Sequence, residues 1–151
     1  MHKLLSIAFA VVCLVQLSYA ALSYKNFGEP AKTDFQEWHD NCRIYIPGVT
    51  QAEINRVRQG HFDTDNPAIK NYAACVWLES KIINTDMVMN KALVDLYMPK
   101  KIGAGTEDEY IGYLLCAKQF RQYKNKMSFA DKIFGMIQCN YNRSPKNFIF
   151  F

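Results

Sequence analysis

Cys42, Cys75, Cys116 and Cys139 are the side chains of this 151-residue chain most open to covalent chemistry, and their spacing is its most informative feature. A thiol serves as a nucleophile, a metal ligand or half of a disulfide, and its neighbours decide which. Zinc would need a second Cys/His pair. His39 stands three residues before Cys42, but nothing completes the set. Nucleophilic use would need a base, and beyond residue 20 the histidines are His39 and His61. His39 reads as a solvated residue of a first helix and His61 as a turn residue, each able to titrate near neutrality. No nucleophile elbow, phosphate loop or His-Asp pair of the secreted phospholipase type is present. Asp63, Asp65 and Asn66 loosely resemble a calcium loop, but Pro67 follows and no glutamate closes it. The chain is therefore read as a non-enzyme without metal or cofactor. An even number of cysteines in an oxidising compartment pairs into two disulfides, with three connectivities open.

The N-terminus supplies that compartment. Lys3 precedes an apolar run from Leu4 to Leu17, and Ser18-Tyr19-Ala20 suits cleavage after Ala20. The run is shorter than the ~20 residues a spanning helix needs. Residues 1–20 are read as a signal peptide carrying Cys13, and residues 21–151 as one secreted, extracellular domain. Without Lys3 the 18 basic residues become 17 against 14 acidic ones, an excess of +3. The basic residues are dispersed and do not alternate with aromatics, which argues against nucleic-acid binding.

The elements that must position the cysteines are helices. Thr33 or Asp34 is a candidate cap for a helix through Trp38 and Cys42 that stops before Ile46-Pro47-Gly48. Thr50-Gln51-Ala52-Glu53 is a capping box opening a short helix that Gly60 ends. Asn66-Pro67 caps and starts a third, running through Cys75 to Ile82. A turn at Asn84-Thr85-Asp86 leads to a fourth with Met89, Leu93, Leu96 and Tyr97, broken by Pro99, Gly103 and Gly105. A second capping box, Thr106 to Glu109, opens a fifth, acidic at its start and basic toward its end, which suits the helix dipole. Ser128 caps a sixth with Phe129, Ile133, Met136 and Ile137 on one side. No strand-like alternation appears. The tail, 140–151, ends Phe148-Ile149-Phe150-Phe151. Large apolar side chains each gain about 1.5–3 kcal/mol on burial, so the tail is expected to fold back. Left exposed, it would instead drive homodimerisation or aggregation. Asn142-Arg143-Ser144 is a glycosylation sequon weakened by Pro145.

From about residue 33 to residue 139 the chain resembles insect odorant-binding proteins of the pheromone- and general-odorant-binding group. The stretch Val57-Arg58-Gln59-Gly60-His61-Phe62, then Asp63 to Tyr72 and Cys75, is similar to the family segment between the second and third helices. The usual pattern has six cysteines, linked first to third, second to fifth and fourth to sixth. Here the second position is Asn71 and the fifth falls at Ala130. The two missing positions are partners, so the chain resembles the four-cysteine, "minus-C" branch. The resemblance implies the bridges Cys42–Cys75 and Cys116–Cys139. Loops of these lengths contribute about 3.5–4 kcal/mol each in the chain-entropy model. It also implies looser coupling of the third and sixth helices.

The implied fold is all-α: a compact bundle of about six helices, tied by two disulfides around an apolar cavity. The implied function is a secreted carrier that reversibly binds small hydrophobic molecules such as odorants or pheromones, ultimately serving a membrane chemoreceptor. A salivary or haemolymph effector of the same fold, acting on host mediators or through its surface, is the alternative. Candidate ligand contacts are Met89, Leu93, Tyr97, Leu115, Phe120, Phe134 and Ile137, with Met87 and Leu96 near them. Phe148 and Phe150 are placed to close the mouth, and Tyr97, Tyr113, Tyr123 or Gln119 to meet a ligand's oxygen.

Overall fold

The computed structural model describes residues 28–102, 107–145 and 148, with the backbone alone for 98–102 and 107–110. The signal segment and Cys13, the Thr106 cap, and Ile149, Phe150 and Phe151 lie outside the described residues. Six helices follow one another: α1 (Ala31–Tyr45), α2 (Gln51–Arg58), α3 (Pro67–Glu79), α4 (Lys91–Ile102), α5 (Glu107–Arg121) and α6 (Phe129–Arg143). Among the described residues the extended pairing is one isolated bridge, Ile83 to Met89.

Local chemistry accounts for most starts and stops. At α2 the Thr50 side chain accepts from Glu53 N, and Glu53 Oε2 accepts from Thr50 N at 2.9 Å. Gly60 follows with φ +88°, a backbone region that glycine enters without strain. Asn66 Oδ1 accepts from Ala68 N at 2.9 Å with Pro67 next, and Ser128 Oγ accepts from Asp131 N at 3.1 Å.

Three helices differ from expectation at their boundaries. α1 begins at Ala31, before Thr33 and Asp34. Its cap position is Pro30, and Thr33 Oγ1 donates instead to Glu29 Oε2 at 2.7 Å. α3 ends at Glu79 because Ser80 turns the chain, donating to Trp77 O and accepting from Ile82 N. α4 starts late and ends late. Asn84 Oδ1 holds a tight loop by accepting from Asp86 N and Val88 N, and Asn90 Oδ1 caps the helix through Ala92 N. The helix then runs through Pro99 to Ile102, since one proline removes a single hydrogen bond without obliging the chain to leave the helix.

α6 is the central element, packed on α5 and α3. α1 packs on α3 and touches α4. The core comprises Phe35 of α1, Ile54 and Val57 of α2, Ile69, Tyr72, Val76 and Trp77 of α3, Tyr113 and Ala117 of α5, and Ile133, Met136 and Ile137 of α6. Cys42–Cys75 ties α1 to α3 and Cys116–Cys139 ties α5 to α6, with Cα atoms 5.7 and 5.9 Å apart. These are the bridges the resemblance implies, and each reinforces a helix pair already in contact. No helix among the described residues is long and apolar enough to cross a membrane.

Candidate ligand-binding region

α4 reaches α1 through an aromatic contact. Tyr97 lies edge-on to Trp38 at 5.3 Å and to Phe35 at 6.0 Å. Its hydroxyl donates to Asp34 Oδ2 at 2.8 Å. Burial, then Asp34, pushes the phenol up to about 12. The hydroxyl expected to meet a ligand thus fastens α4 to α1. Leu93 and Met89 are half-buried against the same core, Met89 through the bridge to Ile83. Met87 is buried with φ +58°, and Arg121 donates to its carbonyl at 3.0 Å, pinning the loop before α4 to the end of α5.

A second aromatic group gathers along α6. Phe62 meets Phe134 at 5.5 Å, Tyr141 at 5.6 Å and Phe148 at 6.1 Å, and Tyr141 meets Phe148 at 5.0 Å. The Phe148 side chain is 1% exposed, so the tail does return to the body at this residue, as apolar burial demands. Tyr141 rests on Gly60, where a Cβ would stand 2.1 Å from the ring, and its hydroxyl donates to Gln59 O at 3.2 Å. Gly60 therefore answers two needs, its positive φ and the ring above it.

Of the remaining predicted contacts, Phe134 and Ile137 are buried and Phe120 is half-buried over Gly135, where a Cβ would stand 2.3 Å from the ring. Leu115 is corrected: it is 46% exposed. α5 turns Gly112, Tyr113, Cys116 and Ala117 inward, and a residue two positions from Tyr113 falls on the opposite side at 3.6 residues per turn. Tyr123 is also exposed, whereas Tyr113 is buried against Trp77 at 5.1 Å.

His39 is the larger correction. It is 4% exposed, and its Nδ1 shares a hydrogen bond with the Tyr72 hydroxyl. Burial first, then Arg58 and Arg43, lowers its pKa from 6.5 to about 3, so the ring is neutral at physiological pH. His39 precedes Cys42 by one turn and Tyr72 precedes Cys75 by one turn, so the hydrogen bond and the disulfide clamp α1 to α3 at successive levels. The signal was present in the sequence: Phe35, His39 and Cys42 share one helical stripe. Asn140 was also missed. It is fully buried, its Oδ1 lies 2.3 Å from where a Cβ on Gly112 would stand, and its amide has no protein hydrogen-bond partner.

Among the described residues, two hollows open on the surface. One, of about 250 Å³, is lined by Thr64, Asp65, Pro67, Lys70, Asn71, Ser128, Ala130 and Asp131. The other, of about 100 Å³, is lined by Glu53, Arg56, Val57, His61, Asp63, Thr64 and Ile69. Their charged rims differ from the apolar container expected of the interior. Among the described residues no group of three or more His, Cys, Asp or Glu side chains could hold a metal ion.

The PBP/GOBP family pattern matches residues 25–143, which takes in all six helices and both disulfides. The chain belongs to the PBP/GOBP family. No curated protein and no solved structure matches it significantly. Membership and the all-α fold support a ligand-carrying role in general terms. The lining of the larger of these hollows includes Asn71 and Ala130, the two positions that the sequence resemblance sets against the absent pair of cysteines.

Proposed function

We propose that this PBP/GOBP protein is a secreted carrier that reversibly binds small hydrophobic molecules, odorants, pheromones or compounds like them, among the helices of its interior. The observation that carries the reading is the family match across residues 25–143, which spans both crosslinks. Crosslinked helices provide a rigid frame around a greasy interior without further chemistry. The proposed contacts are Met89, Leu93 and Tyr97 on the α4 side, Phe120, Phe134 and Ile137 along α5 and α6, and Phe148 as a stopper, with Phe150 beyond the described residues. Asn140 offers a buried amide to orient a guest's oxygen, since an unsatisfied buried group costs about 1–3 kcal/mol. Affinity would come from apolar burial at about 25 cal/mol per Å², giving modest selectivity among similar guests. Secretion follows from the N-terminal segment, with a mature chain starting at Ala21. The carrier would serve a membrane chemoreceptor.

The test is displacement of a fluorescent apolar probe. Competition by volatiles or fatty acids supports the carrier. A probe that does not bind, or that no member of a broad panel displaces, refutes it. The net charge of +4 over the full sequence is compatible with a second reading, a salivary or haemolymph effector of the same fold acting on host mediators or through its surface. Transcript location separates the two, antenna against salivary gland.

A further inference from the structure

The buried stripe of α6 ends on a polar group. Ile133, Met136, Ile137 and Asn140 share one side of the helix, and all of them are buried. An apolar side chain would continue the pattern at the last place, yet an amide stands there, fully buried. Among the described residues neither its Nδ2 nor its Oδ1 has a hydrogen-bond partner, although most buried polar groups find one. The two ends of the amide differ in their surroundings. Oδ1 packs on Gly112 of α5, 2.3 Å from where a Cβ would stand, so backbone covers it. The Nδ2 donor is what remains. Arg143, about one turn further along α6, brings its Nε to 3.9 Å from the same Cβ position. Two donor groups therefore gather above Gly112, and the acceptor beside them faces the helix contact.

We propose that Asn140 selects the guest by its oxygen: the site takes a carbonyl, as in a ketone, aldehyde or ester, in preference to a hydroxyl. The proposal rests on the carrier reading and deepens it. A carbonyl oxygen carries lone pairs and no proton, so it accepts from Nδ2 and leaves nothing unpaired in return. A hydroxyl accepts the same bond, but its own proton then lacks an acceptor, and a buried donor left so costs free energy. An alkane leaves the amide as it is. A carboxylate is a poorer fit, because burial beside the amide strips its water while the Arg143 side chain stays exposed. A buried water is the rival occupant. It makes about three hydrogen bonds to polar neighbours, whereas the neighbours of Asn140 along the stripe are Met136 and Ile137.

Competition binding with guests of equal chain length tests this: decyl methyl ketone, decyl methyl carbinol and dodecane. The wild type should hold the ketone about fivefold more tightly than the carbinol, the effect of one hydrogen bond. Asn140→Leu, which continues the apolar stripe, should erase that preference without weakening dodecane. The infrared carbonyl stretch of the ketone bound to the wild type should fall below its frequency in dodecane, a readout that does not depend on the variant folding. A carbinol bound as tightly as the ketone, a preference that survives Asn140→Leu, or an unshifted stretch overturns the proposal and leaves the carrier reading standing. If none of the three guests displaces the probe, the carrier reading itself falls and the proposal with it.

Discussion

Lys70 Nζ stands 3.0 Å from Asp131 Oδ1 and joins α3 to α6 one residue away from Asn71 and Ala130. A noncovalent tie thus stands beside the two positions that the resemblance sets against the absent cysteine pair. Ser128 Oγ donates to the other Asp131 oxygen at 2.6 Å, and Lys70 lies 5.9 Å from the Phe134 ring centroid. These partners lower the Asp131 pKa, the Ser128 hydrogen bond most, then Lys70. Both side chains of the pair are a third or more exposed, so the tie contributes well under a disulfide, about 0.5 kcal/mol.

Restoring the covalent link should therefore change the molecule measurably. Asn71→Cys with Ala130→Cys is expected to form a third bridge and raise Tm by about 10 °C, from about 4 kcal/mol of loop entropy less strain. Lys70→Met should lower Tm by about 2 °C at low salt and by less at high salt. Thiol titration and calorimetry check both. Free thiols in the double variant, or a bridge without a gain in Tm, would show that α3 and α6 are already as tightly held as a disulfide can make them.

His39 sets an acid limit. Its folded pKa, about 3, lies below the unfolded value of 6.5, so the unfolded chain binds the proton first. Its neutral ring leaves stability undiminished above about pH 6.5, and stability falls as pH drops toward 3, by about 1.4 kcal/mol per pH unit. Glu53 and Asp131 have lowered pKa values; what they contribute is present above the ordinary carboxylate range and lost below it. Between pH 6.5 and 4.5 the His39 slope should therefore dominate, about 2–3 kcal/mol in all. His39→Gln keeps a partner for Tyr72 and does not titrate, so its urea midpoint should be nearly flat across that window. An equal slope in both proteins would place the acid sensitivity elsewhere.

The tail anchor can be tested at either side of Tyr141. Gly60→Ala meets both a φ of +88° and the ring, and should destabilise by about 1–3 kcal/mol. Phe148→Ala removes a ring that is 1% exposed and should cost about 3 kcal/mol. Urea unfolding checks both. A Phe148→Ala midpoint equal to wild type would mean that the tail does not hold its place in solution.

These contacts also mark how far the sequence could be read. The caps were legible because each is local: Thr50 with Glu53, Asn66 with Pro67, and Ser128 three residues before Asp131. The disulfide pairing was legible only through the family resemblance, because four cysteines admit three pairings. What escaped depends on contacts distant in sequence. His39 meets Tyr72 across 33 residues, and Tyr97 meets Asp34 across 63. Hydrophobicity alone points Leu115 inward, but Tyr113, Cys116 and Ala117 define the buried side of α5. Pro99 reads as a breaker in the sequence, yet α4 continues through it to Ile102.

Native mass spectrometry of the protein purified from its source tests the carrier account most directly. The account predicts a one-to-one adduct with a small apolar molecule, retained while the two disulfides are intact and released on unfolding. A bare chain, both as purified and after incubation with a panel of volatiles and fatty acids, would contradict it.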